Sequence, residues 1–319
     1  MRFRRRVPQA NVSRVAAVAQ RLAVLLAAGV PPNAAWGYLR EGELPTRIAS
    51  AIAGGVAVPD AIVVAVSDIP PMEADAWRGL AMAWAVATEA GAPLAPTLRE
   101  FAGALRSIAA AQRDIRVALA EPTATARLVM VLPLVGVLFG AALGFNTLTT
   151  LTTTVPGWMC LGVGTALLFA ASRWNRSLVN SAQPTDITPG LPFDLTAIAV
   201  SGGGALGHAR QSVARAMKRY GRQDVGGAGG GAVVSGVDSD AGIDDVLDLS
   251  VRAGVPAAEL LRSEAEERRR VARAEVQERA AALSVRLMLP LGLCVLPAFM
   301  VIGVLPLAVT VFTTTNIGF

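Results

Sequence analysis

Two stretches of this chain hold no charged residue: Leu128 to Ser172 and Leu287 to Phe319. The chain is 17% charged overall, so the first stretch would ordinarily carry about eight charges and the second five or six. Both are rich in Leu, Val and Ala instead. An Arg or Asp at the centre of a bilayer-spanning helix costs about 2.5–3.5 kcal/mol on insertion scales. Charge exclusion on this scale points to insertion in a membrane, and it explains why hydrophobic residues reach 53% of the chain.

The first stretch divides at a run of threonines. Leu128 to Phe145 is long enough for ~27 Å of helix, near the thickness of a hydrocarbon core. Residues 146–156, Thr-rich and uncharged, form a tight loop in this reading, and Gly157 to Ser172 is the return span, with Trp158 and Trp174 at its ends as an aromatic belt. The second stretch holds Pro290, Pro297 and Pro306, and nothing polar lies near Pro297 to face water. A single tilted or kinked span over 287–312 is expected, followed by a tail over 313–319.

Arginine placement orients the spans. Arg113, Arg116 and Arg127 precede the first, Arg173 and Arg176 follow the second, and Arg273, Arg279 and Arg286 precede the third. The threonine loop and the tail carry no positive charge. Positively charged flanks stay in the cytoplasm, so the N-terminus and residues 173–286 are placed there and the C-terminus outside. The basic start (Arg2, Arg4, Arg5, Arg6) is followed by no apolar signal core and is read as retained.

The remainder reads as helix. Residues 1–127 form a bundle of short helices broken at Gly29–Pro32, Gly42–Pro45, Gly54-Gly55, Ile69–Pro71 and Gly91–Pro93. Apolar residues recur at three and four, as in Val15, Val18, Leu22 and Leu25, and in Leu94, Leu98, Phe101 and Leu105, with no strand alternation. The chain also repeats itself. Ala87 to Arg99 matches Leu249 to Arg262 with one gap, and in both a helix ends at Ala-Gly-x-Pro before a second helix runs toward a span. The span entries agree as well (Ala126 to Pro133 beside Val285 to Pro290), and a weaker match pairs Leu22 to Trp36 with Leu195 to Ala209. Residues 173–286 are thus a second, smaller bundle, with a flexible glycine-rich insert at 221–240. The expected fold is all-α: two cytoplasmic helical bundles and three transmembrane helices.

That combination resembles the type II secretion system F family, the polytopic platform proteins of type II secretion systems and type IV pili. The tail from Arg286 to Phe299 resembles its tight-adherence (Tad) branch in particular. The second bundle departs from the pattern in its glycine insert, and two halves that this branch often carries as separate chains are fused. The resemblance implies an inner-membrane platform that couples a cytoplasmic secretion ATPase to insertion of pilin subunits, working as a homo- or hetero-oligomer with platform subunits. It implies no covalent chemistry and no cofactor.

The sharper motifs weigh little against that picture. Gly202-Gly203-Gly204-Ala205-Leu206-Gly207 fits a dinucleotide fingerprint after the strand-like Leu195 to Val200. No second apolar strand follows, and the repeat places these glycines at a turn between helices. A nucleotide-binding membrane protein is the alternative they leave, and a transporter or channel subunit is another. The latter predicts ionisable residues within the spans, where the sequence has none. His208 stands alone, no Walker lysine exists, and Cys160 and Cys294 read as packing residues rather than metal ligands. The high arginine content is interleaved with glutamate or flanks the spans, so nucleic acid is not an expected partner; lipid is.

Candidate docking residues for the ATPase or a platform partner are the charge run Glu264, Glu266, Arg268, Arg269 and Arg270, and, in the first copy, Glu89, Arg99, Glu100, Arg106 and Arg113. Within the run, Glu264–Arg268 and Glu266–Arg270 are spaced as i,i+4 pairs.

Overall fold

The computed structural model describes residues 12–39, 42–118, 131, 135, 138, 155–181, 190–221, 234–286 and 288–305. Every regular element among them is helical. The chain forms two compact units: residues 1–112 with 185–273, and residues 113–184 with 274–319. The division differs from the expected bundles at 1–127 and 173–286. Parts of both halves of the chain fold together into the first unit, because their helices share one core.

The first unit contains α1 (Val12–Ala27), α2 (Pro32–Ala35) with a 3₁₀ turn (Trp36–Tyr38), α3 (Glu43–Ala53), α4 (Val58–Ala65) and α5 (Pro71–Ala90). It also contains most of α6 (Leu94–Ala118). The helix α7 (Val155–Ser181) belongs to the second unit. From the second half of the chain the first unit takes α8 (Leu191–Ser201), α9 (Leu206–Tyr220), α10 (Val234–Ala253) and α11 (Ala257–Arg286) as far as Arg273.

Helix α5 is the axis of this unit. Trp77, Leu80, Ala81, Ala83, Trp84, Val86 and Ala87 are all buried, so the helix is covered nearly all round, as a central helix must be. Its alanines keep it thin enough for α1, α4, α8 and α9 to pack against it. Trp36 closes the floor, its ring 5.9 Å from that of Trp84. Among the described residues, the buried indole N–H groups of Trp36 and Trp77 have no hydrogen-bond partner. The apolar period seen in sequence faces this core: Val15, Val18, Leu22, Leu98, Phe101 and Leu105 are buried.

Helix α8 serves two cores at once. Leu195, Ile198 and Ala199 join the α5 core, while Phe193 and Ala197 pack with Ile243, Leu247, Leu261 and Ala265 of α10 and α11. The strand-like segment Leu195 to Val200 is therefore helix, and its continuous apolar character reflects burial on two faces.

The two Ala-Gly-x-Pro corners share a geometry. Gly91 and Gly254 both have φ of 69°, a left-handed value that lets a helix close its C-terminus at low steric cost. After α5, the Ala92 N–H donates to the Ala87 carbonyl at 2.9 Å and the Gly91 N–H to the Thr88 carbonyl at 3.4 Å, the bond pair of a Schellman motif. After α10, the Gly254 N–H donates to the Ser250 carbonyl at 2.9 Å. The glycine-rich insert expected over 221–240 is shorter than its sequence suggested: α10 begins at Val234, and residues 222–233 lie outside the described residues.

In the second unit, α7 packs on a helical rod made of α12 (Met288–Pro290), a π-helical stretch (Leu291–Val295), α13 (Leu296–Phe299) and a second π-helical stretch (Met300–Val304). Prolines lack an amide hydrogen and crowd the preceding turn. The widened turns beside Pro290 and Pro297 are where the rod absorbs that misfit. Gly157, Gly164 and Ala171 recur at seven along α7 and are buried. A Cβ added at Gly164 would overlap the side chain of Ile302, so glycine lets the two rods close together.

Among the described residues no helix is long and apolar enough to cross a membrane. The charge-free part of α7, Val155 to Ser172, rises ~27 Å, against a hydrocarbon core of roughly 30 Å. The span expected at 128–145 lies outside the described residues except for Val131, Val135 and Leu138, and so does 306–312 of the third. The loop expected at 146–156 is described only at Val155 and Pro156, which open α7, and the tail at 313–319 lies outside the described residues.

Candidate functional site: a charged cleft between two helices

Helix α11 carries its charge run on more than one face. Arg262, Glu266, Arg269 and Arg273 recur at four, three and four and form one stripe. Glu264 and Arg268 lie on another, turned toward α8. The Arg268 guanidinium sits 4.4 Å from the centre of the Phe193 ring and donates to Glu264 at 3.1 Å, a cation held over an aromatic face. These two residues therefore hold α11 to the core.

The first stripe faces α6. Together they line two adjoining cavities that share Glu266 and Arg269. One, of about 200 Å³, is lined by Thr97, Glu100, Phe101, Asp194, Ile198 and Arg262 as well. The other, of about 270 Å³, is lined additionally by Gly103, Ala104, Ser107, Arg270 and Arg273. Two ion pairs cross the first cavity. Arg262 donates to Glu100 at 2.9 Å, and Arg269 donates to Asp194 at 2.6 Å.

The Asp194–Arg269 pair is the most enclosed of the ion pairs named here, with side chains 19% and 16% exposed. Burial pushes the Asp194 carboxyl up from an ordinary 3.8 to about 6, and Arg269 beside it opposes the rise. Desolvation outweighs the attraction of the cation, as it commonly does for enclosed pairs. Asp194 was not among the residues expected from sequence. Its partner lies 75 positions away, and no local pattern marks it.

The other expected docking residues fall in several places. Glu89 pairs with Arg215 of α9 at 2.5 Å. Its neighbour on α9, Arg219, donates to both carboxylate oxygens of Asp60 at 3.0 and 3.1 Å. Glu89 and Glu100 thus bind parts of the chain to one another. The Tyr220 hydroxyl beside Asp60 is raised above its usual value, first by burial and then by that carboxylate. Arg99, Arg106 and Arg113 recur at seven on the face of α6 turned away from the cleft; Arg106 donates to Gln20 at 3.0 Å. Arg113 belongs to the second unit.

Of the two pairs expected within the charge run, Glu264–Arg268 forms. The Glu266–Arg270 pair does not: Arg270 binds Glu267 at 3.1 Å instead, because Glu266 is turned into the cleft. Gly202, Gly203 and Gly204 lie in the turn between α8 and α9, with Gly202 pressed against the Ala90 carbonyl. His208 is exposed. Among the described residues no group of three His, Cys, Asp or Glu could hold a metal ion.

Residues 18–141 match the model of the family described as type II secretion system (T2SS), protein F. The match does not extend to residues 142–319. No curated protein and no solved structure matches the chain.

Proposed function

We propose, from the type II secretion system F domain that this chain carries over residues 18–141, that it is the inner-membrane platform of a Tad-like pilus or secretion machine. Members of this family are platform components of type II secretion and pilus assembly, set in the inner membrane, and work with a secretion ATPase and other platform proteins. In this reading the first unit receives the ATPase and the charge-free segments meet lipid and the incoming pilin. The work is mechanical: the ATPase moves the first unit, and continuous α6 and α11 carry the displacement toward the second.

The family match carries the reading. The second unit supports its membrane part. Leu289, Leu293, Leu296, Met300 and Val304 form a row of exposed large apolar side chains along the π-helical rod, and Trp158, Met159, Val163 and Phe169 are exposed on α7. Water tolerates such continuous apolar surface poorly, whereas lipid tails satisfy it. Small residues inside and large apolar residues outside is the arrangement by which helices pair in lipid. The matching corners at Gly91 and Gly254 support a duplicated domain whose copies are fused in one chain.

Deleting the gene is expected to abolish surface pili while pilin accumulates in the membrane; normal pili without the chain would overturn the reading. Reporter fusions at Thr150 and Phe319 are both expected to signal from outside the cytoplasm, and a cytoplasmic signal from either would refute the three-span topology. Co-purification of the secretion ATPase in detergent tests the partner.

A further inference from the structure

Among the described residues, none crowds Gly103 in a way that requires glycine there. It lies inside the 25-residue α6, where glycine is among the poorest helix formers. Glycines in helices are usually kept by a neighbour that leaves no room for a Cβ. Here no described atom lies within 4 Å of a Cβ built on Gly103. The space it leaves is the larger cavity of the cleft, about 270 Å³. Ala104 and Ser107 continue the same small-residue floor.

The walls of that cavity are strongly biased in charge. Arg269, Arg270 and Arg273 line it against the single carboxylate of Glu266. Arg269 is held in place from behind by Asp194, so its guanidinium is oriented before anything enters. Arg270 is 72% exposed and its bond to Glu267 lies within one turn of α11, a surface pair that an incoming anion displaces at little cost. Planar guanidinium groups bind carboxylates in pairs of parallel hydrogen bonds.

We propose that this cleft receives an acidic segment of a partner protein, with Arg269, Arg270 and Arg273 as the cations and Gly103 as the floor. Charge complementarity selects Asp and Glu side chains, and the missing side chain at Gly103 gives the entering backbone room. This deepens the platform reading at the same face and rests on it for the identity of the machine.

The test uses the full chain in detergent and a fluorescent decaglutamate peptide, with decaglutamine as the uncharged control, read by anisotropy. The charged peptide is expected to bind and the uncharged one not. Gly103→Leu fills the floor with a better helix former and is expected to weaken binding at least tenfold with no loss of thermal stability. Ser107→Glu places a carboxylate in the cleft and is expected to do the same. His208→Ala, on an exposed site elsewhere, leaves binding unchanged. Undiminished binding by Gly103→Leu and Ser107→Glu overturns the proposal. So does displacement of the peptide by inorganic phosphate at equal charge, which would make the cleft a free-anion site, or by anionic phospholipid micelles, which would assign it to lipid headgroups. If the peptide fails to bind while deletion still abolishes pili, only this inference falls and the platform reading stands.

Discussion

Gly202→Ala is expected to lower the stability of the first unit by about 3 kcal/mol or more, although its backbone conformation suits any residue. Gly202 has φ −74° and ψ −3°, ordinary right-handed values. The obstacle is the end of α5. A methyl group at Gly202 would overlap the carbonyl oxygen and carbon of Ala90, and both partners are backbone, so no side-chain rotation relieves the contact. Either the turn between α8 and α9 lifts from α5, or the Gly91 corner moves. The next residue is the control. Gly203 has φ of +81° with open space around its would-be Cβ, so Gly203→Ala carries only the left-handed penalty, about 1–2 kcal/mol. Thermal and denaturant unfolding of the two purified variants decides the matter. A Gly202 variant no less stable than the Gly203 variant would show that the α5 end and this turn are not in contact.

The second large effect is a pH dependence set by Asp194. Its carboxyl titrates near 6 in the folded chain against about 3.9 when unfolded. The folded state therefore holds this proton more tightly. Stability from this group is fully present below pH 4 and is lost as pH rises through 6, a change of about 3 kcal/mol for two pK units. Other carboxylates of the chain contribute with their own signs, so the useful quantity is a difference. Wild type minus Asp194→Asn, measured by denaturant unfolding at pH 4.5, 5.5, 6.5 and 7.5, is expected to fall over that range and level off above 7. The groups that face Asp194 are Arg269, Arg262 and Glu266 of α11 and Glu100 of α6, and the substitution leaves all four in place. A flat difference would mean that Asp194 is solvated and the cleft open. Opposite slope would mean that Arg269 outweighs burial and holds the carboxyl low.

The two effects have a common origin in how the halves of the chain meet. At the α5 end, a turn from the second half presses on a corner from the first. In the cleft, the Arg262–Glu100 pair joins helices from different halves. Acids of the first half (Asp60, Glu89, Glu100) meet arginines of the second (Arg219, Arg215, Arg262). Residues that looked like an outward docking face in sequence are for this reason partly consumed inside. Arg269 is both: its guanidinium binds Asp194 and lines the cavity that remains open.

How far each feature could be read depended on the range of the interaction behind it. The corners at Gly91 and Gly254 were legible because a helix stop is written within four or five residues: an apolar period, a glycine that tolerates left-handed φ, and a proline that cannot continue the turn. The Glu264–Arg268 pair was legible for the same reason. Glu266–Arg270 was misjudged because spacing permits a pair without selecting it. Once α6 packs beside α11, Glu266 faces a cleft and Arg270 has the nearer Glu267. The apolar run at Leu195 to Val200 was ambiguous between strand and buried helix, since a segment covered on two faces shows no period.

The sequence by itself determined the helical class, the helix ends, the Ala-Gly-x-Pro corners and the two charge-free segments. Each follows from properties of residues within a turn or two of one another, or from the composition of one contiguous stretch. Only the tertiary structure decided that the halves share a core, that Asp194 and Arg269 meet, that Gly202 carries the α5 end, and that Gly103 opens onto a cationic cleft. Those facts depend on which surfaces lie within a few ångströms of each other after folding, and a one-dimensional pattern carries no record of contacts made 75 or more positions apart.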